Sequence, residues 1–170
     1  MVTHTAGLRT VELSEIRALC DLAFDDYDDT TWQQALGGMH ALVRDDAGTL
    51  VAHGSLVLRR MRVGDRWLRC GWVESVVVHP EHRKQGHGHA AMASLEALAP
   101  GYDLLGLCSS DDGRVLYEAR GWTRWRGPAS ALTPDGIRPT PDEDSIYVLA
   151  GGGLDPSGPI VCDWREGDLW

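Results

Sequence analysis

The sequence predicts an α/β fold, and three observations carry that prediction. Three strand-like runs, Met39 to Val43, Leu50 to Arg60 and Trp67 to Val78, follow one another across the short turn signals Asp45-Asp46-Ala47-Gly48 and Gly64-Asp65, so they read as consecutive antiparallel strands. After Pro80 the pattern changes to a glycine-bearing loop, a helix, a short strand, a second helix and another strand, an alternation that needs at least one crossover connection. The length fits one domain: of 170 residues 43 % are hydrophobic, and a chain of this size buries roughly 68–70 % of the surface its unfolded form exposes.

Taken in order, Leu8 to Leu13 reads as a strand, and Ser14 stands where a helix N-cap belongs, ahead of Ile16, Leu19, Cys20, Ala23 and Phe24 on one helical face. The acidic run Asp25 to Asp29 ends that helix. Thr30 or Thr31 caps a short helical piece through Trp32 to Leu36, stopped by Gly37-Gly38. Beyond the three strands, Ala90 to Leu98 is a helix halted by Pro100-Gly101, and Leu104 to Leu107 is a short buried strand. Ser110 caps the next helix, with Asp111 and Asp112 in its first turn and Gly121 just past its last. Between Gly127 and Pro159 the chain is rich in Gly and Pro, and one strand is clear there, Ile146 to Leu149.

Composition excludes several classes of function. The formal charge of −9 repels phosphate backbones and anionic lipid, so nucleic acid and membrane surfaces are poor partners, while polycations are attracted. No apolar stretch approaches the ~20 residues of a spanning helix, and Met1 to Thr5 does not look like a secretion signal. A cytoplasmic setting is expected. Cys20, Cys70, Cys108 and Cys162 form no C-x-x-C pair, which fits reduced thiols better than a redox couple or a zinc site. His79, His82, His87 and His89 crowd one loop without a completing set of carboxylates, so no metal is expected.

The most informative stretch is Val73 to His89. A strand runs into a glycine loop that opens a helix, which turns successive backbone N–H groups and the helix dipole toward an anion. Gly86 and Gly88 allow close approach, and Arg83 and Lys84, the only lysine, add charge. Neither G-x-x-x-x-G-K-[ST] nor G-x-G-x-x-G fits, because Ala91 stands where a third glycine would be. The string from Arg83 to Gly88 is R-x-x-G-x-G after V-x-V, and it resembles the acetyl-coenzyme A loop of the GNAT superfamily of N-acetyltransferases. The resemblance implies a single GNAT domain over residues 1–170, with a mixed, mostly antiparallel central sheet flanked by helices and splayed around the pantetheine arm of acetyl-CoA. It also implies that backbone N–H groups of Arg83, Lys84, Gln85, Gly86, His87 and Gly88 take the pyrophosphate. The same resemblance implies that Val76, Val77 and Val78 pair with the pantetheine and that the Val76 N–H polarises the thioester carbonyl. Leu116-Tyr117-Glu118-Ala119-Arg120-Gly121-Trp122 resembles the family's Leu-Tyr-x-x-x-Gly-aromatic segment, which implies that Tyr117 protonates the departing thiolate.

Further stretches resemble one subfamily, the aminoglycoside 2′-N-acetyltransferases. The most selective are Gly37-Gly38-Met39-His40 and the terminal Cys162-Asp163-Trp164-Arg165-Glu166-Gly167-Asp168-Leu169-Trp170. That resemblance implies an acidic pocket for a polycationic sugar, with Asp26, Glu74, Ser75, Asp142, Glu143, Asp168 and the Trp170 carboxylate binding ammonium and hydroxyl groups and Cys108 and Ser109 lining the floor. Because the attacking amine must be neutral, a base is needed. Glu74 is the candidate: it precedes Val76 by two residues, on the same strand face by the period of two, and acts through water with help from the Trp170 carboxylate. Two alternatives stay open, an N-acetyltransferase for another cationic metabolite or protein amine, and a non-catalytic acetyl-CoA-binding module. A homodimer is possible in this superfamily.

Overall fold

A computed structural model describes residues 1–140, 145–149 and 153–170. The chain divides into two compact units. One comprises Met1–Val57 with Val73–Leu98, the other Leu58–Trp72 with Ala99–Trp170. Two long strands, β3 (Leu50–Val63) and β4 (Arg66–Val78), pass through both.

In the first unit, β1 (Val2–His4) lies antiparallel to β2 (Met39–Arg44), and β2 lies antiparallel to the start of β3. The terminal ammonium of Met1 donates to the Leu42 carbonyl at 2.9 Å, which closes the edge. Helix α1 (Thr10–Ala23) packs Ile16, Leu19 and Cys20 against Leu42, Leu50 and Val77, one buried cluster of the unit. The short helix α2 (Asp29–Gln34) is capped by Asp28, whose carboxylate accepts the Thr31 N–H at 2.8 Å. Helix α3 (His87–Glu96) packs on β2, with Met92 and Leu95 fully buried.

The start of the chain departs from the sequence reading. Residues Leu8 to Leu13 are not a strand, because Glu12 reaches back to accept the Arg9 backbone N–H at 2.9 Å, with the Arg9 guanidinium donating to the same carboxylate at 3.1 Å, and this cap starts the helix at Thr10. Ser14 is interior to the helix and donates to the Thr10 carbonyl at 3.1 Å. The cap of α2 is likewise Asp28 rather than a threonine.

The second unit orders its strands β6 (Thr123–Arg124), β9 (Ile146–Leu149), β5 (Leu104–Cys108), β4, β3, β10 (Ile160–Asp163), β7 (Ala129–Thr133) and β8 (Gly136–Pro139). β10 runs antiparallel to β3 and parallel to β7, so the sheet is mixed. A 3-10 turn at Asp111–Gly113 leads into α4 (Arg114–Ala119), which ends at Gly121 with a left-handed φ of 84°. Trp72, Leu105, Leu107, Ile146 and Tyr147 are buried here. Among the described residues no helix is long and apolar enough to cross a membrane.

Candidate active site

β4 carries the first part of the site, and its sequence conceals a break. Glu-Ser-Val-Val-Val reads as uninterrupted strand, yet Ser75 has a φ of +50°, a left-handed conformation in the middle of the element. The alternation of faces is therefore interrupted between Glu74 and Val76, and a period of two does not by itself carry both to one face. Three side chains hold this turn. Ser55 donates to the Glu74 carbonyl at 3.3 Å, His53 Nδ1 lies 3.1 Å from the Ser75 carbonyl, and the Tyr27 hydroxyl is 2.7 Å from Ser75 Oγ. Burial raises the Tyr27 hydroxyl far above its ordinary value, with Cys20 and the Glu74 charge pushing the same way and the Ser75 hydroxyl opposing. Glu74, Ser75, Val76 and Val78 are half-buried, whereas Val77 belongs to the core.

Beyond β4 the chain turns through a 3-10 segment at Pro80–His82, with the His79 N–H donating to Val51 O at 2.8 Å. Lys84 at φ 62° and Gly86 at φ 87° are both left-handed and frame the entry to α3. Alternating handedness of this kind curls successive N–H groups into a concavity. The first N–H groups of α3 have no intrahelical acceptor and point the same way. Arg83, Lys84, Gln85 and Gly86 are exposed and His87 and Gly88 half-buried, so the stretch expected to bind pyrophosphate lies open at a helix start. The rings of His79 and His82 meet edge-on at 5.3 Å, and those of His82 and His87 are 6.0 Å apart. Among the described residues no three His, Cys, Asp or Glu side chains gather as a metal site.

The second unit holds the remaining candidates. Tyr117 on α4 is 7 % exposed, and burial, with a smaller contribution from Cys108, raises its hydroxyl so that it stays protonated across the physiological range. Its ring lies over Gly113, where a Cβ would come within 2.9 Å of it and 3.1 Å of Ser109 Oγ. Cys108 is exposed, with its sulfur 2.9 Å from Ser145 Oγ. Ser109 is buried and its hydroxyl donates to Ser110 O at 2.7 Å, so a floor contact falls to Cys108 more readily than to the Ser109 hydroxyl.

The chain end is firmly held. Trp170 is 7 % exposed, its indole N–H donates to Thr140 Oγ1 at 2.9 Å, and its ring lies 6.0 Å from that of Trp72. Arg165 reaches both the Asp168 carbonyl and the Trp170 terminal oxygen, the latter at 3.2 Å. Arg59 stacks on the Trp72 ring at 5.2 Å and bonds Asp163 at 2.9 Å, which ties the tail's root to β3. Asp168 and Asp26 are exposed, Asp26 in the turn after α1. Asp142 and Glu143 lie outside the described residues. Arg165, Arg59, Tyr27 and His53 do not stand out in the sequence. Arg165 alone had a signal, lying inside the selective terminal motif.

The acetyltransferase (GNAT) domain model matches residues 6–124 of this chain. The chain belongs to the GNAT acetyltransferase family. Within known proteins it is similar, at 41 % identity, to an aminoglycoside 2′-N-acetyltransferase of Mycolicibacterium fortuitum, over 99 % of this chain and 90 % of that one. It is 38 % identical to a mycothiol acetyltransferase of Kineococcus radiotolerans over 78 % of this chain, and spans about half of that protein, 48 %. Two solved structures bear out the expected GNAT fold. An acyl-CoA N-acyltransferase of Pseudomonas aeruginosa matches with a TM-score of 0.62 at 17 % identity, covering 88 % of this chain and 97 % of that one. A GNAT N-acetyltransferase of Escherichia coli crystallised with CoA gives 0.60 at 14 % identity, covering 95 % and 88 %.

Proposed function

We propose that this family member transfers the acetyl group of acetyl-CoA to the 2′-amine of aminoglycosides. The observation that carries the reading is similarity along 99 % of the chain to a protein of that activity. Acetyl-CoA supplies an activated thioester, and the left-handed Lys84 and Gly86 before α3 suit its pyrophosphate. In this reading the Val76 N–H donates to the thioester oxygen, where negative charge grows as the amine adds. Glu74 takes the proton of the ammonium through water, assisted by the Trp170 carboxylate. The amine nitrogen bonds to the carbonyl carbon, the carbon–sulfur bond breaks, the nitrogen releases its surplus proton to water to leave the neutral amide, and Tyr117 gives its proton to the thiolate before recovering one from solvent. Burial keeps the Tyr117 hydroxyl protonated, so its O–H is available to hydrogen-bond the thiolate as it forms.

In this reading the exposed Asp26 and Asp168 carboxylates bind other ammonium groups of the substrate, and the further candidates Asp142 and Glu143 lie outside the described residues. Four unbridged cysteines suit a cytoplasmic setting, and exposed Leu132, Ile137 and Trp164 suit a homodimer. The similarity to a mycothiol acetyltransferase keeps a second reading in view, another amine-bearing metabolite as acceptor.

The test is coenzyme A thiol release with matched acceptors. Gentamicin and tobramycin, which carry a 2′-amine, should be turned over. Kanamycin A and amikacin, which carry a 2′-hydroxyl, should not, and equal turnover of both groups excludes the regiochemistry. Glu74→Gln should lower kcat by roughly 100-fold or more. A far higher kcat/KM for a polyamine or peptide would move the acceptor to the second class.

A further inference from the structure

The left-handed turn at Ser75 is held from outside its own strand by an imidazole pair that the reaction does not use. His40 on β2 and His53 on β3 are both fully buried, and His40 Nδ1 lies 2.9 Å from His53 Nε2. They are diagonal neighbours, since His40 pairs with Ser55 and His53 with Leu42 across the two strands. The direction of every proton in this chain is fixed by its last member. The Ser75 carbonyl only accepts, so His53 Nδ1 carries a proton. Neutral His53 then has a bare Nε2, which accepts from His40 Nδ1–H. His40 Nε2 in turn faces the Thr5 hydroxyl at 2.8 Å, which accepts the Gly37 N–H at 2.9 Å and shares its proton between His40 Nε2 and the Gly38 carbonyl at 3.2 Å. Burial pushes both imidazoles well below their usual range, His40 to about 4 and His53 to about 3, so the neutral relay is the working state.

Two consecutive β4 carbonyls, Glu74 and Ser75, accept side-chain protons from β3 residues spaced two apart, Ser55 and His53. Side chains here supply donors to the carbonyls that flank a left-handed residue. We propose that the His40–His53 pair is a positioning element for acetyl transfer: by tethering the Ser75 carbonyl it fixes the left-handed turn that aims the Glu74 carboxylate. This rests on the reading of Glu74 as the base.

The test compares His53→Asn, which keeps an N–H near the Nδ1 position, with His53→Gln, which moves it outward, and with His53→Leu, which removes it. Each is measured for kcat, both KM values and thermal midpoint. The expected result is a kcat within about threefold of wild type for Asn and at least tenfold lower for Gln and Leu, with KM for acetyl-CoA little changed and midpoints of Asn and Gln alike. Equal kcat for Asn and Gln overturns the proposal, and should the leucine variant not fold, that comparison alone decides. Coupling gives the second arm. If His53 acts through Glu74, the double variant H53Q/E74Q is no slower than E74Q, whereas multiplied losses overturn the proposal. A fully active E74Q removes the base assignment itself, which separates that failure from equal kcat of Asn and Gln beside an impaired E74Q.

Discussion

Acidifying the solution should destabilise this protein well before its carboxylates protonate, and the buried imidazole pair sets both the window and the size of the loss. In the unfolded chain each histidine titrates near 6.5. In the folded chain burial holds His40 near 4, with the His4 charge pushing the same way, and holds His53 near 3, where the His40 charge adds and the Ser75 carbonyl opposes. Both folded values are depressed, so below pH 6.5 the unfolded state binds more protons and stability falls with pH. The loss begins near 6.5 and saturates only as each folded value is passed. Between pH 7 and 4.5 the linkage amounts to about 2 kcal/mol per imidazole, and two such losses are a large share of the 5–15 kcal/mol that holds a typical domain. Glu12, lowered by Arg9, and Asp28, lowered by the Thr31 N–H, lose their contributions only at lower pH, so the window from 6.5 to 4.5 isolates the histidines. Urea unfolding at pH 7.0, 5.5 and 4.5 measures the slope in wild type and in the non-titrating H40Q/H53Q variant. The variant should lose most of the slope whatever its stability at pH 7. Parallel slopes in the two proteins would refute the assignment of neutral buried imidazoles.

Two other outcomes test the second unit. Tyr117→Phe keeps the ring over Gly113 but removes the proton donor, so kcat should fall at least tenfold with both KM values within about threefold, as read by steady-state kinetics. Gly106→Ala places a Cβ 2.7 Å from two carbons of the buried Trp72 ring and 3.1 Å from Cys70 Sγ, and this overpacking should cost roughly 1–3 kcal/mol in urea unfolding while tryptophan emission shifts.

The elements legible in the sequence are those whose signals are local. The β2–β3 turn carries Gly48 at φ 85° and the β3–β4 turn carries Gly64 at φ 56°, so glycine stood where the backbone needed it and both strand pairs could be read directly. Helix α3, β5 and β9 follow from periodicity and stops. β10 shows the opposite case. Its residues Ile160 to Cys162 pair with Met61 to Val63 almost a hundred positions earlier, and it also runs parallel to β7. Nothing within Gly-Pro-Ile-Val-Cys-Asp announces either partner, and β7 and β8 in the same Gly- and Pro-rich stretch are equally silent. Three-residue β1 exists because Val2 to His4 meet Ala41 to Met39, again a distant pairing rather than a local preference.

Ser75 carries that argument into the site. Asn, Asp or Gly would have advertised a left-handed residue, but serine between Glu74 and Val76 in a valine-rich run advertises a strand. Such a conformation costs about 1–3 kcal/mol. Three hydrogen bonds, from His53 and Ser55 to consecutive carbonyls and between Tyr27 and the serine hydroxyl, contribute about 0.5–1.5 kcal/mol each and can offset it. The partners come from the segment between α1 and α2 and from β3, about twenty to almost fifty residues away, so the strained turn is a property of the assembled unit. The His40 of the Gly-Gly-Met-His motif thereby acquires a physical reason for being histidine. It is the member of the relay that orients His53, and a residue with no donor at that position would leave His53 Nε2 buried without a proton to accept.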